Sequence, residues 1–194
     1  MDRTIFSFNM LNVAVLGDSR VGKACFLFAY ALEANPWTVP DVMKTFSSDV
    51  TVGNESMQVT ISSSNDVNSV HNLPTADVFI ICFGLDDPQS LANVQSQWIP
   101  AVRATFGHIP ILVVGMKSDL RDIYKKHKKI YLYFMHRKPI NEKAGKKVAK
   151  KFCDVKYTEC SVIKVKDVMN VMTKATRMSL PAKNSATSSL CSIM

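Results

Sequence analysis

The chain has 194 residues, 47% of them hydrophobic and 21% charged, and a formal net charge of +8. That length suits one well-buried domain and is short for two, and no apolar run approaches the ~20 residues of a membrane span. Much of the positive excess lies between Arg121 and Lys156 and favours acidic partners, among which charge alone does not separate nucleotides, anionic lipids and nucleic acid.

The stretch from Met1 to Gly17 is fairly apolar, but Asp2, Asn9 and Asn12 interrupt it and no small-residue cleavage site follows. It reads as a first strand, around Leu11 to Leu16, and not as a signal peptide. Gly17-Asp18-Ser19-Arg20-Val21-Gly22-Lys23-Ala24 comes next, and then a helical pattern from Cys25 to Glu33 that buries Phe26, Leu27 and Tyr30. A strand, a glycine-rich turn with Lys beside the second Gly, and a helix wrap backbone N–H groups around a phosphate. Gly17, Asp18, Ser19, Arg20, Val21, Gly22, Lys23, Ala24 and Cys25 are therefore the candidate phosphate-binding residues, with the Lys23 ammonium placed for the terminal phosphates. Ala24 departs from that pattern, because the motif asks there for a Ser or Thr hydroxyl to bind Mg²⁺.

Phe46 to Val52 and Met57 to Ser62, around Gly53-Asn54, predict a β-hairpin and hence a mixed sheet. Val78 to Phe83 is apolar throughout, as a central strand is. Asp87 as N-cap and Pro88 at the first position open a helix with Leu91, Val94, Trp98 and Val102 on one face. Ile111 to Gly115 predicts a further strand. Asn141 caps a helix that buries Ala144, Val148 and Phe152. Val155 to Cys160 is a last strand, and Val165, Val168, Met169, Met172 and Ala175 form a last helix face. From Leu180 the composition turns to Ser, Ala, Thr and Asn, which predicts a flexible tail. Strands alternating with helices predict an α/β sheet with helices on both faces.

The five cysteines, Cys25, Cys82, Cys153, Cys160 and Cys191, are an odd number without metal-type spacing and point to a reducing compartment. His71, His108, His127 and His136 have no ligand spacing either. The run Lys125-Lys126-His127-Lys128-Lys129 precedes Ile130-Tyr131-Leu132-Tyr133-Phe134. No nucleic-acid recognition motif accompanies it, so an anionic membrane surface and a solvated face remain as its two readings.

Gly115-Met116-Lys117-Ser118-Asp119-Leu120-Arg121 and Tyr157-Thr158-Glu159-Cys160-Ser161 resemble the guanine-recognition loops of Ras-like small GTPases. Cys191-Ser192-Ile193-Met194 resembles a prenylation signal of the farnesyl type. Trp98-Ile99-Pro100-Ala101-Val102-Arg103, Asp119-Leu120-Arg121 and an extra segment from about Asp122 to Lys138 are similar to the Rho family. The Gly-Asp-Ser start of the phosphate loop and the Lys-Ser-Asp-Leu-Arg loop are similar to its Rnd subgroup.

This resemblance implies a three-layer P-loop G-domain over residues 1–179, with a mixed six-stranded β-sheet flanked by helices on both faces and a Rho-type insert. It implies a tail, 180–194, lipidated at Cys191. GTP or GDP is the expected ligand, with guanine held by Lys117, Asp119, Ser161 and Val162, because a carboxylate accepting two hydrogen bonds from the base edge discriminates well. The expected setting is the cytoplasmic face of the plasma membrane, in signalling to actin, with protein effectors that the sequence does not name.

The departures fall on the switch machinery. Pro40 is followed by Asp41 where the resemblance calls for a Mg²⁺-binding Thr, and the stretch from Ser62 to Val70 has neither the Gly nor the water-orienting Gln of the second switch. Ser19 stands for a usual Gly, Met116 for a usual Asn or Thr, and Val162 for a usual Ala. With neither metal ligands nor a water-positioning residue, Mg²⁺ binding is expected to be weak or absent and hydrolysis negligible. Arg20 is a candidate to replace part of the missing metal charge. Three functional readings follow: a hydrolysis-deficient guanine-nucleotide switch, a nucleotide-free pseudo-GTPase scaffold, and a conventional GTPase cycling with exchange factors.

Overall fold

The computed structural model describes residues 9–32, 45–52 and 55–188. Its strands are β1 (Asn9–Leu16), β2 (Thr45–Val52), β3 (Glu55–Ser64), β4 (Val78–Gly84), β5 (Ile111–Met116) and β6 (Val155–Cys160). They form one sheet in the order β2-β3-β1-β4-β5-β6. Five strands run parallel, and β2 pairs antiparallel with β3, Val52 opposite Glu55.

The helices are α1 (Lys23–Leu32), α2 (Pro88–Asn93), α3 (Ile99–Phe106), α4 (Asp119–Lys126), α5 (Lys128–Met135), α6 (Glu142–Ala149) and α7 (Val165–Ser188). Side chains alternate across a strand, so a central parallel strand must be apolar at every position to bury both faces. In β1, Leu11, Val13 and Val15 join one core with Phe26 and Tyr30 of α1 and with Val168, Met172 and Ala175 of α7. Ala14 and Leu16 join the opposite core with Trp98, Ile99 and Val102. β4 divides likewise, Ile80 and Cys82 against Phe79, Ile81 and Phe83.

Three segments differ from the sequence expectation. The single helix predicted after Asp87 is α2, a π-helical turn over Val94–Trp98, and α3. Pro100 lies in the first turn of α3, and a proline's missing N–H is tolerated where the ladder is already broken. Asp87 does cap α2, its Oδ1 accepting from the Gln89 amide at 3.0 Å. The stretch from Ser62 to Val70 is the end of β3 followed by a 3₁₀ helix over Val67–Asn72, capped by Asp66. At the carboxyl end, α7 continues to Ser188, past the Leu180 boundary at which composition predicts a flexible tail. Pro40, Asp41 and the Cys191 tetrapeptide lie outside the described residues.

Candidate functional site

Between β1 and α1 the chain turns with Gly17 at φ +137°, Arg20 at +65° and Gly22 at +109°. Left-handed backbone of this kind favours glycine at the first and last of these positions. A Cβ on Gly17 would also stand 2.2 Å from the Cys82 carbonyl oxygen, so the loop lies directly on β4. Lys23 Nζ donates to the carbonyls of Gly17 at 2.6 Å and Asp18 at 2.7 Å. Two of its three N–H donors are held by the loop itself, which fixes the ammonium at the loop's centre. Burial lowers the pKa of Lys23, offset in part by Cys82 and Asp18. The Cys82 thiol is pushed up to about 12 by burial and stays protonated near neutrality.

Asp18 contributes its backbone to the loop, but its side chain turns the other way. Oδ1 accepts from Trp98 Nε1 at 2.7 Å and Oδ2 from Asn93 Nδ2 at 2.6 Å. The carboxylate therefore ties the loop to the π-helical turn and α2. Asn93 was not legible as a site residue, since its partner is 75 residues away.

The other end of the site forms where β5 and β6 terminate. Lys117, at φ +64°, begins the turn after β5, and Asp119 opens α4. Ser161, fully buried, donates its hydroxyl to Asp119 Oδ1 at 2.7 Å, and the Ser118 amide donates to the Cys160 carbonyl at 3.1 Å. Three of the four predicted base contacts, Lys117, Asp119 and Ser161, are thus brought into one corner. Val162 packs its side chain against the core.

Lys117 Nζ donates to Asp86 Oδ2 at 2.8 Å. Asp86 sits just beyond β4 and was missed in the sequence, because its partner Lys117 is 31 residues away. Its Oδ1 and the Tyr131 hydroxyl are buried and have no hydrogen-bond partner among the described residues. Burial and the carboxylates of Asp86 and Asp119 raise the pKa of Tyr131, which places this α5 residue in the field of the same corner.

A cleft of about 680 Å³ lies between the loop, the first turn of α1 and residues 63–73. Ser19, Arg20, Lys23, Ala24 and Cys25 form one wall, and Ser64, Asn65 and Asp66 are on the other. Asn65 Nδ2 donates to Ser19 Oγ at 3.3 Å across it. Ala24 presents a methyl group where a metal-binding hydroxyl is called for. Asp66, among the described residues the one carboxylate lining the cleft, accepts from the Asn68 amide at 2.9 Å.

The residues present fit a nucleotide at both ends: a glycine turn around Lys23, sterically closed to a Cβ at Gly17 and held at positive φ at Gly22, and a carboxylate oriented by a buried serine. At Ala24 they supply no side-chain ligand atom for a divalent cation. The sequence model described as the Ras family matches residues 12–180, a span that holds the phosphate loop, the cleft and the Asp119 corner.

Proposed function

Because the chain belongs to the Ras family of small GTPases, which bind guanine nucleotide, we propose that it is a Rho-like, Rnd-type switch that holds GTP without hydrolysing it. The observation that carries this reading is the contrast between the two ends of the site. The base corner keeps its Asp119–Ser161 pair at 2.7 Å, while Ala24 and the 3₁₀ turn after Ser64 supply no metal-binding hydroxyl and no water-orienting Gln. Phosphoryl transfer depends on metal and water positioning, so binding outlasts catalysis when those are lost.

The same reading takes α4 and α5 as the Rho-type insert and Cys191 as a farnesylated cysteine that anchors the protein on the cytoplasmic face of the plasma membrane, in signalling to actin. A single prenyl chain anchors only marginally, so a second, basic signal belongs with it. A Cys191→Ser variant that leaves cell membranes for the cytosol supports the lipid anchor; one that stays on them removes it.

A second reading is favoured by the polar groups that satisfy one another. Lys23 is held by loop carbonyls and Lys117 by Asp86, an arrangement that needs no ligand and suits a nucleotide-free scaffold. Denaturing the freshly purified protein and resolving the released nucleotide separates the two. Near-stoichiometric GTP supports the locked switch, GDP restores hydrolysis, and an empty protein whose melting temperature ignores added GTP is a scaffold.

A further inference from the structure

Between Ile123 and Asn141 the chain carries Lys125, Lys126, Lys128, Lys129, Arg137 and Lys138 and no Asp or Glu. All six cations are exposed. Within α5, Ile130, Tyr133 and Phe134 are spaced i, i+3, i+4 and share one side of the helix. That side faces outward, with the three residues 60%, 75% and 70% exposed. The Tyr133 and Phe134 rings meet edge to face with centroids 5.2 Å apart, so the exposed surface is continuous.

The side of α5 next to that face is fastened to the protein. Tyr131 is 4% exposed, and its ring packs edge-on against Tyr124 of α4 at 5.4 Å. The outward apolar face is thus presented by packing beside it and not by a loose segment.

We infer that α5 is a membrane-interface helix that lays Ile130, Tyr133 and Phe134 into the headgroup boundary of an anionic bilayer, with the flanking lysines on lipid phosphates. Charge complementarity selects this occupant. Cations precede the apolar face and follow it, and their long stems let the charged heads reach phosphates while the rings sink. Tyrosine belongs at such a boundary because its ring is apolar and its hydroxyl is wet. A second copy of this chain would set lysines against lysines, and nucleic acid would pair the lysines but offer Ile130 no comparable burial. The inference deepens the membrane-bound reading above and rests on it for its setting, but it concerns α5 and not the lipid.

The test uses the full, unprenylated chain, cosedimented with vesicles of phosphatidylcholine alone or mixed with phosphatidylserine. Binding is expected to the mixed vesicles only and to weaken with salt. The combined Ile130→Ser, Tyr133→Ser and Phe134→Ser variant is expected to lose at least ~10-fold in partition. A Lys128→Glu, Lys129→Glu variant, which leaves the apolar face intact, is expected to lose on the order of fivefold per charge or more. Unchanged melting temperatures show that each variant is folded. Parent protein that ignores mixed vesicles overturns the inference in favour of a protein partner, as does an apolar variant that binds as well as the parent. A parent dimer abolished by the apolar variant overturns it in favour of a second copy. Because no lipid is attached in this assay, its failure leaves the Cys191 reading to the Cys191→Ser result.

Discussion

At the scale of single residues, the site is a set of polar atoms already committed to one another, and the variants that separate their roles follow from which atom each holds. Trp98 is 2% exposed and its indole N–H serves Asp18. Trp98→Phe keeps most of the ring and removes the donor, so it is expected to cost about 1.5–3 kcal/mol of stability, the range for a hydrogen bond to a charged group, read by denaturant unfolding. Asp119→Ala leaves Ser161 without its acceptor and, on the proposed reading, the base without its carboxylate. It is expected to weaken guanine-nucleotide binding by about 2–5 kcal/mol in a fluorescent-nucleotide titration, with little change in the rest of the fold. Ala24→Thr asks the opposite question, because it supplies the missing hydroxyl. Nucleotide affinity of the parent is expected to ignore chelation of Mg²⁺, whereas that of Ala24→Thr is expected to fall when the metal is removed.

At the scale of elements, α6 packs on β6 through one glycine. A Cβ on Gly145 would stand 2.2 Å from Tyr157 Cε2, and Tyr157 has no freedom to swing away because its hydroxyl donates to Glu159. Glu159 is in turn gripped by Arg121, whose guanidinium also donates to the Ile140 carbonyl at 2.9 and 2.6 Å. Gly145→Ala is therefore expected to destabilise by about 1–3 kcal/mol, as overpacking of a filled site does, and a melting curve checks it. Most elements were legible in the sequence. The apolar run Val78 to Phe83 gave β4, and Asp87-Pro88 gave the start of α2. Less legible was the break at Val94–Trp98, because a π-helical turn leaves the same residues buried on the same side and changes no hydrophobic pattern.

For the whole molecule, stability falls on the alkaline side through several buried groups whose pKa burial raises, the Cys82 and Cys160 thiols and Tyr157 among them. Burial, first, and its hydrogen bond to Glu159 raise the pKa of Tyr157 above the ordinary 10.0. In the unfolded chain it ionises near 10, so the stability it contributes is complete below pH ~10 and is lost as pH rises from there toward the folded value. Denaturant unfolding across that range is expected to show a falling midpoint, and Tyr157→Phe a flatter one.

The sequence by itself determined the α/β architecture, the glycine turn between β1 and α1, and the absence of a side-chain hydroxyl at Ala24. These are local facts, carried by period-two and period-3.6 apolar patterns and by residue types adjacent in the chain. Only the tertiary structure decided which carboxylate serves which end of the site. Asp18, read as a phosphate-loop residue, turns its side chain to Trp98 and Asn93; Asp86, read as nothing in particular, takes Lys117; Asp119 takes the buried Ser161. These partners are 31 to 80 residues apart. A side chain's hydrogen bonds are chosen by what the packed sheet places within about 3 Å of it, and that distance has no signature in the order of the residues.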